Sequence, residues 1–358
     1  MDRLSSLSST IVKSVSTDPS LNADIEKQKM RYKNLQILED HTRVISEWKA
    51  KSTIDGEEFA KLIYGPIYNI IAEANTFFRN DPDFKLARLS DGDKDQQRYL
   101  TNKLLFKFYK RFPVTLYKFV NEPWYFSSLF SVLTGFFPPV GTKTAVHFCL
   151  YAKSILMLGT DKHVKFVERA LALKDLGCFG LTELAHGSNV QGIITIATYD
   201  VQQQCFILNT PHEKGMKFWI GGAAQSANMS VIAANLIVGG KDYGVHLFIV
   251  PIRDEVSHDI IPGVTIGDCG LKQGINGVDN GFIAFRNVRV PLENLLDRIT
   301  QVSPSGVVTS SIERKDLRFA VQLSGLSEGR VKISLTCMIA GLKACAIVLR
   351  FATVRRQF

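Results

Sequence analysis

The sequence predicts an α+β protein: a helical N-terminal domain, a central antiparallel β barrel or sandwich, and the start of a second helical region. Three observations predict it. Apolar residues recur at three- and four-residue steps from about Ser20 to Leu176. From Gly177 onward, short β-branched and aromatic runs alternate with turn residues. After Pro291 the spacing turns helical again and stays so to the last residue. A length of 358 residues fits two or three domains, placed at 1–176, 177–300 and 301–358.

In the first region, Ala60, Ile63, Ile67 and Ile70-Ile71 mark one face of a helix. Asn80-Asp81-Pro82-Asp83 and Phe137-Pro138-Pro139-Val140-Gly141 read as loops. Leu150 to Leu156 and Val164 to Leu173 read as helices, with Gly159-Thr160-Asp161 supplying a turn and an N-cap between them. In the second region an apolar strand at Cys178 leads into a polar loop. Further strands are expected near Ile193–Thr198, Cys205–Asn209, Lys217–Ile220, Val231–Val238, Val245–Pro251, Val264–Ile266 and Phe282–Val290. They do not alternate with helices, which argues against a Rossmann domain. In the third region Ser327-Glu328-Gly329-Arg330 opens a helix through Val331, Leu335, Ile339, Leu342, Val348 and Phe351. No Gly, Asn or Pro closes it and its wide apolar face has no partner left after it in the sequence, so truncation is expected, with packing onto the N-terminal helices alone as the alternative.

Composition narrows the function classes. Hydrophobic residues at 46% and charged residues at 22% supply an ordinary globular core. The net charge of +9 is scattered among acids, as in Glu313-Arg314-Lys315-Asp316, and no basic block or nucleic-acid motif occurs. Six cysteines and seven histidines lie far apart without metal-ligand spacing, so no metal site is expected and the thiols read as reduced and mostly buried. Met1 to Leu21 lacks a secretory apolar core. Val331 to Ala352 is interrupted by Lys332, Lys343 and Arg350, so no membrane span is expected and the protein reads as soluble.

Four segments can carry chemistry. In Cys178-Phe179-Gly180-Leu181-Thr182-Glu183-Leu184-Ala185-His186-Gly187-Ser188-Asn189, small residues let backbone N–H groups approach a ligand, and Thr182 and Ser188 add hydroxyls. A polar turn between strands is the plainer reading of the same residues. Lys217-Phe218-Trp219-Ile220-Gly221-Gly222 offers a flat aromatic wall beside open backbone, or a core Trp beside a turn. Cys269 to Gly281 is a glycine-rich run suited to a hairpin or a loop over a site. Arg355-Arg356 on a helix can clamp a phosphate, or stand as solvated charges.

In this order and spacing, the first two segments resemble the flavin-binding β domain of the acyl-CoA oxidases. So do Ala197-Thr198-Tyr199-Asp200, the run from Gly244 to Asp254, Asp279-Asn280-Gly281 with Val290 to Leu296, and the helix ending in Arg355-Arg356-Gln357-Phe358. The resemblance is dense from Val146 to Phe358 and leans toward branched-chain and plant medium-chain members.

It implies the acyl-CoA dehydrogenase-like architecture, FAD as cofactor, and oxidation of acyl-CoA to trans-2-enoyl-CoA with oxygen yielding hydrogen peroxide. It further implies a peroxisomal location and a homodimer in the complete protein. Position by position, Thr182 contacts the flavin ring, Gly221 the cofactor through its backbone, and Trp219 borders the isoalloxazine. Ser188 lies near the pyrophosphate and the pantetheine arm, and Arg355 reaches the FAD of a neighbouring subunit. The family's catalytic glutamate, in a Tyr-Glu-Gly motif, is expected beyond Phe358, so no catalytic residue is assigned, and Glu183 is not promoted to the role. The alternatives are a non-catalytic fragment that binds FAD or acyl-CoA, and a dehydrogenase passing electrons to another flavoprotein.

Overall fold

The structure, a computed structural model, describes residues 37–87 and 93–355. The expectations for Met1–Leu21 and for Arg356, Gln357 and Phe358 lie outside these residues. The first region is helical: α1 (Ile37–Ala50), α2 (Gly56–Tyr64), α3 (Tyr68–Asn80), α4 (Pro82–Ala87), α5 (Lys94–Arg111), α6 (Leu116–Asn121), α7 (Pro123–Phe136) and α8 (Pro138–Thr144). A π-helical stretch, Ala145–Ala152, runs into α9 (Lys153–Leu158), and α10 (Val164–Leu171) follows. Asp93 starts α5 by accepting from the N–H groups of Asp95 and Gln96. An aromatic cluster fastens α3, α5 and α7, with Phe78 stacked on Phe108 and Phe136 at 5.5 and 4.4 Å.

Both expected loops in this region are short. Asp81 alone separates α3 from α4, and Phe137 alone separates α7 from α8. Proline misleads here because it is tolerated in the first helical turn, where its missing N–H has no partner to lose. Gly141 then lets α8 fold tightly back, since a Cβ there would lie 2.6 Å from the Thr134 Cα.

The middle region contains two sheets. Strands β1 (Gly177–Gly180), β2 (Ile196–Asp200), β3 (Cys205–Asn209), β5 (Met229–Val238), β6 (Lys241–Pro251) and β9 (Val288–Pro291) form one; β4 (Lys217–Gly221), β7 (Val264–Asp268) and β8 (Asn280–Phe285) form the other. Most pairings are antiparallel, but β1 and β2 both run parallel to β5, a departure from the antiparallel expectation. Local alternation reports burial, not the direction of a partner many residues away. The expected strand Phe282–Val290 is two strands, broken at Arg286-Asn287 where Asn287 adopts φ +51°.

The six-stranded sheet is the middle layer. Along β5, Val231 and Ala233 join the core under the helices, whereas Ile232, Ala234 and Leu236 join the core between the sheets. On β6, Leu247 and Ile249 face the helices and Phe248 and Val250 the second sheet. Burial on both faces explains why these strands read as continuous apolar runs. Where helices meet the sheet, contact is close: a Cβ on Gly177 would lie 2.0 Å from the fully buried Tyr151 ring. Gly177→Ala should therefore cost about 1–3 kcal/mol through overpacking, read as a lowered urea midpoint.

After Pro291 the expected helical texture is delayed by a two-stranded ribbon, β10 (Thr300–Val302) and β11 (Val308–Ser310). Helices α11 (Lys315–Leu323) and α12 (Gly325–Val354) then follow. By length and composition alone, Gly325–Thr353 of α12 is apolar enough to cross a bilayer. Its neighbours in the fold are nevertheless helices, among them α7, against which Ile339 and Lys343 pack at Gly135. Among the cysteines, Cys178 and Cys205 are buried, whereas Cys337 and Cys345 on α12 are exposed, so the thiols are not mostly buried.

Candidate functional site

The site begins where the sheet changes strands. Strand β6 occupies one edge of β5 throughout, so β1 and β2 share the other edge, against Met229–Ile232 and Asn235–Ile237 in turn. Between them residues 181–195 leave the sheet as an excursion and return. Asn235 closes its return, donating from its backbone N–H to Thr195 O at 2.8 Å and from Nδ2 to Ile193 O at 2.6 Å.

Strand β4 runs beside the excursion. Phe218 N–H donates to Thr182 O at 3.0 Å, and Thr182 Oγ1 donates back to Phe218 O at 2.8 Å. The hydroxyl proton is thereby committed, and the oxygen keeps lone pairs that can accept. The β4–β8 register shifts between Lys217 and Ile220, and Trp219 sits in that bulge at φ +63°. A left-handed backbone at a bulky aromatic costs about 1–3 kcal/mol and persists where its surroundings over-determine it. Here Asn280 Nδ2 holds Trp219 O at 3.0 Å, and the indole turns outward, 54% exposed. Two residues on, a Cβ at Gly221 would meet Val146 of the π-helical stretch at 3.2 Å.

Two buried ionic networks support these pieces, and sequence reasoning missed both. Under the excursion, Glu183 and Lys217 pair at 3.0 Å with both side chains fully buried. Glu183 also accepts from Thr195 Oγ1 (2.6 Å), Thr195 N (3.0 Å) and Ile194 N (2.9 Å), and His186 Nδ1 lies 2.8 Å away. Burial pushes the Glu183 carboxyl up, but Lys217 and these donors outweigh it and hold it below its ordinary value. Burial pushes the Lys217 ammonium down to about 8 against the pull of Glu183.

The second network shapes the turn after Gly221. Asp279 accepts from the N–H groups of Gln225 (2.9 Å) and Ser226 (2.8 Å), and its carbonyl accepts from Gly222 and Ala224. Lys143 Nζ reaches Asp279 at 2.7 Å, Ser226 Oγ at 2.6 Å and Asn102 Oδ1 at 2.5 Å. From the other side, Arg253 donates to the carbonyls of Ala223, Ala224 and Ala227. Burial pushes the Asp279 carboxyl up, and Lys143 and Ser226 overcome it, so the net shift is downward.

The structure brings Thr182 and Trp219 onto one ladder, with Gly221 at its end. Ser188 lies on the exposed crown of the excursion, its carbonyl accepting from Val190 N–H at 3.0 Å. Arg355 is not brought to them: it caps the far end of α12, exposed, over the ring of its own helix's Phe351. The glycine-rich run from Cys269 is the expected hairpin, joining β7 to β8. Its base is tied to α5 by the bidentate pair of Arg98 with Asp268 at 2.6 and 2.8 Å. An outward indole, a hydroxyl acceptor and uncrowded backbone at Gly187 suit a planar, polar-edged group.

The sequence profile described as "Acyl-CoA dehydrogenase, middle domain" matches residues 178–288. Peroxisomal acyl-coenzyme A oxidase 2 of Arabidopsis thaliana is 35% identical over 325 residues, covering 88% of this chain and 47% of that protein. This chain belongs to the acyl-CoA oxidase family. An acyl-coenzyme A oxidase of Saccharomyces cerevisiae is 40% identical, covering 76% of this chain and 35% of that oxidase. Among solved structures, acyl-CoA oxidase 1 of Yarrowia lipolytica superposes with a TM-score of 0.78 at 32% identity, over 88% of this chain and 45% of that one. Acyl-CoA oxidase-2 of Caenorhabditis elegans, bound with FAD, ascaroside-CoA and ATP, gives 0.74 at 28% identity, over 88% and 47%. The chain spans about half the length of the oxidases it matches or less. The acyl-CoA dehydrogenase-like fold, with helices before a curled sheet, is common to them.

Proposed function

We propose that this chain supplies the flavin-contacting part of a peroxisomal, FAD-dependent acyl-CoA oxidase, which converts acyl-CoA and oxygen to trans-2-enoyl-CoA and hydrogen peroxide. The observation that carries the reading is the ladder joining Thr182 to Phe218, with the outward Trp219 beside it. Thr182 offers its hydroxyl oxygen to the ring edge, Trp219 walls one side, and Gly221 presents backbone. Ser188 faces the pyrophosphate and pantetheine, and Arg355 serves the FAD of a partner subunit in a homodimer. Domains at 1–176, 177–300 and 301–358 divide the work. When bound, the flavin accepts the hydride from the substrate's β carbon.

A second reading, binding without turnover, has its own support. Removing the α proton needs a free carboxylate near the flavin. Glu183 is the one acid in the excursion, and it is buried among five donors. Titrating the purified chain with FAD should give saturable binding with a perturbed visible band; no saturation would overturn the flavin reading. With a panel of straight and branched acyl-CoAs, a peroxide-coupled dye assay should then stay at background. Sustained peroxide formation would overturn the second reading.

A further inference from the structure

We propose that the buried Glu183–Lys217 pair is a positioning device that sets the spacing between Thr182 and Trp219, and so governs how tightly a flavin is gripped. This rests on the flavin reading above.

The pair stands at the root of the site without belonging to its surface. Glu183 follows Thr182 directly, and Lys217 precedes Trp219 by two residues. The Glu183–Lys217 bridge is thus the next rung of the ladder that contains the two Thr182–Phe218 hydrogen bonds. Lys217 Nζ also lies 3.4 Å from Leu181 O, so one ammonium touches the residues on both sides of Thr182. Glu183 in turn fastens the far end of the excursion through Ile194 and Thr195. The β4 bulge begins immediately after Lys217, so the anchor fixes where the strand turns Trp219 outward.

Stability alone does not account for this pair. A fully buried ion pair pays desolvation on both charges, and apolar replacements of similar volume are often neutral or stabilising. What such replacements lose is a defined register. A one-residue slip of β4 against the excursion would turn Trp219 inward and remove Thr182 from its partner.

The test is the double variant Glu183→Gln/Lys217→Met, which leaves no buried unpaired charge, whereas Lys217→Met alone strands a carboxylate and is a folding control. Three quantities are measured: the urea midpoint, the FAD dissociation constant, and hydrogen exchange at the Phe218 amide in flavin-free protein. The expected result is an unchanged midpoint, at least tenfold weaker FAD binding, and at least tenfold faster exchange at Phe218. Wild-type FAD affinity and exchange in the double variant would overturn the proposal. A midpoint that falls in step with affinity would also overturn it, by making the pair merely structural. If the wild-type chain binds no FAD, the flavin reading fails and the flavin-grip half of the proposal falls with it. The Phe218 exchange then still decides whether the pair sets the ladder.

Discussion

Asp279→Ala should destabilise the chain by about 3–5 kcal/mol, the usual cost of removing one partner from a buried ion pair. Three deficits add up in the variant. Lys143, 6% exposed at its side chain, keeps an ammonium with neutral partners only. The N–H groups of Gln225 and Ser226 lose their acceptor inside the protein. The Gly222–Ala227 turn then keeps only its backbone bonds, including those to the carbonyl of residue 279, and the Arg253 donors. The measurement is equilibrium urea unfolding followed by far-ultraviolet circular dichroism. Lys143→Met/Asp279→Asn should recover most of the loss, because it removes the stranded charge and keeps an acceptor for the turn. A loss below about 1 kcal/mol in Asp279→Ala would refute the account, since that is the scale of an exposed pair.

The site's contacts and their supports differ in how they could be read. Thr182, Trp219 and Gly221 stand in short local motifs, and local motifs survive in a one-dimensional reading. Their supports are distant in sequence: Lys143 lies 136 residues before Asp279, and Arg253 reaches 26 to 30 residues back. A signal did exist. Lys217 occupies the inward phase of a strand whose next residues are aromatic, and a lone inward charge demands a partner. Its partner, Glu183, lies in the first motif, but no periodicity links the two. The same limit applies to the fold. The strands β1, β2, β5 and β6 were visible in the sequence, yet the parallel pairing of β1 and β2 with β5 was not, because pairing direction leaves no trace in alternation. Pro138 looked like a loop residue because a helix-initiating proline and a breaking proline have the same local signature. The π-helical stretch, which brings Val146 to Gly221, has none.

The chain should lose stability steadily as pH falls from about 6.5 toward 4, before most carboxylates titrate. His147 is fully packed between α10 and β1. Its Nδ1 accepts from Gly177 N–H at 3.0 Å and its Nε2 donates to Ala170 O at 2.9 Å, a pattern that requires the neutral ring. Burial pushes its pKa down to about 4, and the ring of His246 is pushed down to about 4 for the same reason, with Arg318 adding repulsion. In the unfolded chain a histidine titrates near 6.5. Between these values the unfolded state binds more protons, so stability rises with pH and is lost on acidification. For His147 alone a shift of this size corresponds to about 3 kcal/mol across the window, at ~1.4 kcal/mol per unit. Below that window Glu183 and Asp279, both held under their ordinary values, add a further loss as each is forced to protonate. His147→Gln retains an acceptor and a donor but does not titrate. Urea midpoints measured at half-unit steps from pH 7.5 to 4 should therefore show a shallower slope in His147→Gln than in the wild type. Identical slopes would mean that His147 takes up its proton as readily in the folded state as in the unfolded chain, and the packing argument for this joint would fall.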